Sequence, residues 1–88
     1  MKQIDAAAAI LALLAERGEG LTICPSEAAR RLDPVGWRAL MPLVHETARH
    51  LVADGAVAIT QSGQVVSPDT VVGAYRIRKR QAPAGHAK

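Results

Sequence analysis

Three side chains on one predicted helix, His45, Glu46 and His50, have the residue types of a zinc-binding site and are the first candidates for chemistry. Zinc-binding histidines on a helix are four residues apart, which places both imidazoles on one face. His45 and His50 are five residues apart, so a helix that turns about 100° per residue separates them by about 140°. We therefore expect two exposed histidines and no bound metal.

Cys24 is the next candidate, as the single cysteine of the chain. It can form no internal disulfide, so we expect a reducing compartment, the cytoplasm. A lone cysteine is usually a small core side chain, but one before a helix, as Cys24 is, can be reactive. Ser26 has no histidine or aspartate at a motif spacing, and no glycine-rich phosphate loop is present. We expect no enzymatic activity and no cofactor.

Basic residues concentrate near the C-terminus. Residues 1–69 carry six basic and eight acidic residues, whereas residues 70–88 carry five basic residues and no acidic one. Four of these five form a short run: Arg76, Arg78, Lys79 and Arg80. Such a basic arm can contact phosphates or enter a minor groove. Trp37 and Tyr75 are the only aromatic residues, which disfavours recognition of single-stranded bases by stacking.

A basic stripe also lies on the third predicted helix. Arg38, His45 and Arg49 fall within about 40° on the side opposite its leucines and valines. In helix-turn-helix proteins the recognition helix enters the major groove, and its flanks contact phosphates. An ordinary solvated face is the alternative, because Glu46 and Asp54 share the polar side and the following hairpin turn has no basic residue.

Three helices must position these residues. Apolar spacing predicts the first helix over residues 3–17, and it ends at glycines. The second helix follows Pro25, with Ser26 as its N-terminal cap. Asp33 stops it and caps the third helix, whose apolar residues repeat at helical spacing up to Gly55.

Pro42 lies inside the third helical pattern. Because proline removes one backbone hydrogen bond and clashes with the preceding turn, we expect either a kink or a break that leaves a separate helical turn at residues 34–41. The apolar stripes predict four buried side chains: Leu11, Leu43, Val44 and Leu51. Arg30 and Arg31 are expected to pair with Glu27 at helical spacing, and Trp37 to fill the core or the turn.

After Gly55 the apolar period changes from helical to alternating. Residues 57–60 and 65–66 flank a predicted tight hairpin turn at 61–64. A short strand at 21–24 can pair on the edge of this hairpin, and residues 75–78 read as an edge strand that presents arginines outward. We expect an α+β fold, a winged helix-turn-helix domain over residues 1–80, and a disordered tail over residues 81–88.

Several segments also match a known family, and their residues are Thr22-x-Cys24-Pro25-Ser26-Glu27-x-Ala29-Arg30-x-Leu32, Trp37-Arg38-x-Leu40-Met41-Pro42, Gly55-x-Val57-x-Ile59-Thr60-Gln61-x-Gly63, Gly73 and Ile77-Arg78. With these motifs the chain resembles a family of small bacterial proteins of unknown function that have a winged-helix fold. The resemblance spans roughly residues 4–80. It implies the fold and no functional residues.

From the basic residues we expect a winged-helix protein that binds double-stranded DNA through its third helix and its basic arm, as a transcriptional regulator does. The predicted contacts are Arg38, His45, Arg49, Arg76, Arg78, Lys79 and Arg80. The alternative is a protein–protein module, such as a homodimer packed through the alanine-rich helix 3–17. A run of apolar residues as short as Ala6–Ala15 cannot span a bilayer, so we expect no membrane partner.

Overall fold

A computed structural model describes residues 5–18 and 20–80. The elements follow the order α1 (Ala6–Arg17), β1 (Thr22–Ile23), α2 (Pro25–Leu32), α3 (Trp37–Ala53), β2 (Val57–Gln61), β3 (Gln64–Val66) and β4 (Arg76–Lys79). Three helices and a four-stranded antiparallel sheet thus form an α+β fold that is consistent with a winged helix. The predicted disorder of residues 81–88 concerns residues outside the described ranges.

Capping contacts begin the two shorter helices, and a glycine ends the first of them. Asp5 accepts a hydrogen bond from the backbone N–H of Ala8 at 2.9 Å and starts α1. Gly18 ends α1 with a φ of 107°, a conformation that favours glycine. The prediction of Ser26 as the cap of α2 was wrong by two residues: Cys24 is the N-cap, and its backbone N–H donates to the Glu27 carboxylate at 2.9 Å.

The third helix runs without a break through Pro42. Of the two expected alternatives, a kink or a break that leaves a separate turn at 34–41, the break was therefore wrong. Pro42 and Arg38 are both exposed, and water can therefore satisfy the Arg38 carbonyl that proline leaves without a donor. The cap is also shifted from Asp33 to Gly36. Asp33 instead accepts hydrogen bonds from the N–H groups of Val35 and Gly36 and closes the turn between α2 and α3.

The sheet has the strand order β1-β4-β2-β3. A turn at Ser62 and Gly63, both with positive φ, joins β2 to β3, which confirms the predicted tight hairpin. The prediction of an edge strand at residues 75–78 was wrong, because β4 lies between β1 and β2 and is hydrogen-bonded on both sides. For the same reason β1 pairs with β4 and not with the hairpin.

The core lies between the three helices and one face of the sheet. Ile23, Ile77 and Ile59 are neighbours across β1, β4 and β2 and are fully buried. Val44 and Leu51 of α3 are buried as predicted. Leu11 and Leu43 are 41% and 39% exposed, so their predicted burial was wrong. The core side of α1 carries Ala6, Ala9, Ile10 and Leu14 instead, and that of α3 carries Val44, Ala48 and Leu51, so both leucines point away from the buried residues of their helix.

Among the described residues, no helix is both long and apolar enough to cross a membrane.

Candidate nucleic-acid interface

The start of α3 carries a cluster of one aromatic ring and two cations. Trp37, the first residue of α3, is half-buried and packs against the core. The guanidinium carbons of Arg30 and Arg38 lie 4.4 and 4.5 Å from the centre of its ring, within the range of cation–π attraction. Both arginines are exposed. The tryptophan therefore holds two positive charges together at the N-terminal end of α3.

The turn that leads into α3 fixes the position of this cluster. Gly36 lies so close to Asp33 that a Cβ atom added at Gly36 would be 2.8 Å from a carboxylate oxygen. The other oxygen of the same carboxylate accepts the N–H groups of Gly36 and Val35, at 2.9 and 3.1 Å. A side chain at position 36 would therefore require the exposed Asp33 carboxylate to shift.

His45 and Arg49 of the predicted stripe contact the segment that joins β3 to β4. The Nδ1 atom of His45 lies 2.6 Å from the Tyr75 hydroxyl oxygen, and the centres of the two rings are 5.5 Å apart. Arg49 forms an ion pair with Asp69 at 2.9 Å. His45, Arg49 and Tyr75 line an open cavity of about 220 Å³ together with residues of the 68–73 segment. The middle of the stripe is therefore used to hold residues 67–75 against α3.

The hydrogen bond between His45 and Tyr75 involves a partly buried phenol. Burial raises the pKa of Tyr75, and the positive charge of Arg49 opposes this only in part. The phenol consequently keeps its proton at neutral pH. It donates to Nδ1 in one imidazole tautomer and accepts from Nδ1–H in the other.

Arg76 and Arg78 lie on the face of β4 opposite the core, since Ile77 between them is fully buried. The Arg76 guanidinium donates to the Thr22 hydroxyl and contacts the Cys24 sulfur at 2.8 Å. Arg78 is half-buried and is the cross-strand neighbour of both Thr22 and Ala58. Arg76 thus bridges to β1 and to the start of α2, whereas the side chain of Arg78 stays over the outer face of the sheet.

Lys79 and Arg80 end the basic run and are both exposed. The backbone N–H of Arg80 donates to the Ala56 carbonyl at 3.2 Å, which anchors this end of β4 just beyond the C-terminal end of α3. The basic run and the Trp37 cluster therefore lie near opposite ends of α3.

Other arginines are bound by carboxylates on the helical side of the molecule. Arg17 pairs with Glu27, and Arg31 pairs with Glu16 at 2.6 Å. The predicted pairing of Arg30 and Arg31 with Glu27 was therefore wrong: contacts between α1 and α2 outcompete the pairing within one helix. The hydrogen bond from Arg31 is the main cause that lowers the pKa of Glu16.

The predicted site residues thus separate into three groups. Arg38 lies at the start of α3, His45 and Arg49 lie against residues 67–75, and the four residues of the basic run lie on β4 or directly after it. Sequence reasoning missed Arg30 as a member of the Trp37 cluster, because its spacing from Glu27 also fits a helical ion pair. It missed Tyr75 as the partner of His45, since the two residues are 30 positions apart.

The side of α3 that points furthest from the core has little positive charge. The exposed residues there are Ala39, Pro42, Glu46, His50 and Ala53. His50 pairs with Glu46 at 3.0 Å, while His45 contacts Tyr75, so the two histidines face different partners. Within residues 5–18 and 20–80, no three metal-ligating side chains come together.

Comparison with known proteins identifies one family. The family model described as "Protein of unknown function (DUF3253)" matches residues 3–80. The chain belongs to this family. No curated protein matches it.

Proposed function

We propose that this member of the family is a winged-helix protein that binds double-stranded DNA, with Arg38 at the start of α3 and the cations of β4 as its contacts. One observation carries the proposal. Within the described part of the chain, Arg17, Arg31 and Arg49 are each paired with a carboxylate, whereas the Trp37 cluster and the basic run have no carboxylate within 4.0 Å. The positive charge left for a polyanion is therefore concentrated at these two places.

The position of Arg38 supports contact with base edges. In helix-turn-helix proteins the N-terminal residues of the recognition helix reach the bases. Arg38 is the second residue of α3, and its guanidinium is held by the Trp37 ring in place of a carboxylate. The five donors of arginine suit guanine, which presents two acceptors in the major groove.

The proposal gives His45 and Arg49 a different role from the one expected from the sequence. Both side chains hold residues 67–75 against α3. We take the connection from β2 to β4, which consists of the β2–β3 hairpin and this segment, as the wing. We assign His45 and Arg49 to positioning the wing, and contact with DNA to Arg38, Arg78, Lys79 and Arg80.

A binding titration of the full-length protein on random duplex DNA at several salt concentrations tests the proposal. Each phosphate contact contributes about 0.9 to the slope of log K against log salt. We expect Arg80→Ala, which removes a proposed phosphate contact, to weaken binding and to flatten this slope by about 0.9. Arg38→Ala, which removes a proposed base contact, should change the slope on random DNA little. Arg31→Ala is the matched control, since Arg31 is also an exposed arginine but is paired with Glu16. If the wild-type protein shows no salt-dependent binding of DNA at low ionic strength, the proposal is refuted.

A homodimer through α1 is the second candidate. The solvent side of α1 carries four apolar residues on successive turns: Ala8, Leu11, Ala12 and Ala15. Small side chains let two helices approach closely, and Leu11 would add buried area. Sedimentation equilibrium distinguishes this function from DNA binding: Leu11→Lys should convert a dimer into a monomer, and a monomeric unaltered protein would exclude this candidate.

A further inference from the structure

A half-open cavity of about 590 Å³ is lined by residues of strands β2, β3 and β4 and by the end of α3, and it shares no lining residue with the cavity beside Tyr75. This volume is within the range of small-molecule sites, about 300–1,000 Å³. The wall of the cavity combines two kinds of side chain, valines and cations, and each kind indicates one property of a ligand.

The apolar part of the wall comes from the end of α3 and from the edge strand. Val52 and Val66 are half-buried, and Val65 is 59% exposed. Val52 and Val66 pack against the core, whereas Val65, the cross-strand neighbour of Thr60, lies on the other face of the edge strand. A hydrocarbon or aromatic group placed here would remove apolar surface from water, which is favourable in proportion to the area covered.

The charged part of the wall comes from Arg78, Lys79 and Arg80. No carboxylate of the described residues lines the cavity, and none lies within 4.0 Å of these three cations. An anion would compensate their charge, and a carboxylate can accept two parallel hydrogen bonds from an arginine. We infer that this cavity binds a small amphipathic anion, a carboxylate attached to an apolar body.

The inference does not depend on DNA binding, because it is measured without DNA. Calorimetric titration of the full-length protein with decanoate, below the concentration at which decanoate forms micelles, is compared with titration by decanol. The two probes share the same hydrocarbon chain and differ in charge. We expect saturable binding of decanoate and at least tenfold weaker binding of decanol.

Variants locate the binding site. Lys79→Gln and Arg78→Gln should each weaken decanoate binding about tenfold, while Arg31→Gln, on the helical side, should leave it unchanged. Lys79 is exposed, so its replacement tests the site even if Arg78→Gln disturbs the sheet. Val65→Ser should weaken both probes. Equal affinities for decanoate and decanol, no saturable binding, or equal effects of the Lys79 and Arg31 variants would each overturn the inference.

If DNA binding also holds, decanoate should compete with DNA for the β4 cations. Competition that survives Lys79→Gln would place the shared contact elsewhere and contradict the cavity as the site. If the wild-type protein binds decanoate but does not bind DNA, only the proposed function is refuted.

Discussion

Arg17 and Arg31 on the helical side differ in their partners from Arg38 at the start of α3 and Arg78 on β4, although the residue type is the same. Arg17 and Arg31 tie α1 to α2 through Glu27 and Glu16. Arg38 instead lies against an aromatic ring, and Arg78 lies over the outer face of the sheet. The first group is used within the fold and the second retains charge for an external anion. Net charge alone does not separate the two groups, whereas the partner of each cation does.

The largest effect should come from the inner face of β4, which provides the contrast to its charged outer face. Ile77→Ala removes a fully buried side chain and should lower the free energy of unfolding by about 2–5 kcal/mol. Arg78→Ala, at the next position, should cost less than about 1 kcal/mol, through lost packing of its aliphatic stem. Chemical denaturation measures both. Similar losses for the two variants would show that the outer face of β4 also supports the fold.

The basic run should dominate the salt dependence of DNA binding. Replacing Arg78, Lys79 and Arg80 by glutamine removes up to three phosphate contacts, so the slope of log K against log salt should flatten by up to about 2.7. Fluorescence anisotropy on a random duplex at several salt concentrations measures this slope. The control is the double replacement of Arg17 and Arg31 by glutamine. If this control flattens the salt slope as much as the triple replacement does, the two groups of cations do not differ in DNA binding.

The contact between His45 and Tyr75 tests whether the stripe on α3 positions the wing. Tyr75→Phe removes one hydrogen bond, which should reduce the local stability of residues 67–75 by about 0.5–1.5 kcal/mol. Hydrogen exchange of the amides in this segment is the measurement. His50→Ala removes the pair with Glu46 on the outward side of α3 and should leave these amides unchanged. Unaltered exchange in Tyr75→Phe would return His45 to the set of candidate DNA contacts.

Local features of the sequence predicted three helices, the hairpin and half of the four named core side chains. Ser62-Gly63 specified a tight turn, and the apolar spacing around Val44 and Leu51 specified the inner side of α3. The position of β4 was not predictable in this way. Its alternation of Arg76, Ile77 and Arg78 fits an edge strand and a central strand equally, because alternation defines the two faces of a strand and not its neighbours.

The candidate site was less predictable than the fold. Helical periodicity placed Arg38, His45 and Arg49 on one stripe, but it contains no information on what packs over that stripe. Contacts with Tyr75 and Asp69 join residues 30 and 20 positions apart. Similarly, the pairing of Arg31 with Glu16 bridges 15 positions. Partners at such separations follow from tertiary packing, which therefore decided which cations remain without a carboxylate.

The smallest predicted effect concerns Glu27 and shows how the paired region depends on pH. Partial burial acts to raise the pKa of Glu27, but the Cys24 backbone N–H, Arg17 and the charge of Arg76 together lower it below its usual value of 4.5. A carboxyl whose pKa is lower in the folded protein stabilises the fold above the unfolded pKa, and this contribution is lost as pH falls through the folded pKa. Glu27→Gln should therefore be less stable than the unaltered protein at neutral pH.

The difference between the two proteins should shrink below about pH 4.5, since protonation then neutralises Glu27 in the unaltered protein as well. Thermal unfolding between neutral and acidic pH follows this convergence. Glu16→Gln is the matched control: its pKa is also lowered by an arginine, but Glu16 is more exposed than Glu27, so water screens the interaction and the convergence should be weaker. Parallel pH profiles for the unaltered protein and Glu27→Gln would mean that the Arg17–Glu27 pair does not stabilise the helical region. The contrast between arginines that pair with a carboxylate inside the fold and cations that remain without one would then depend on Arg31 and Arg49 alone.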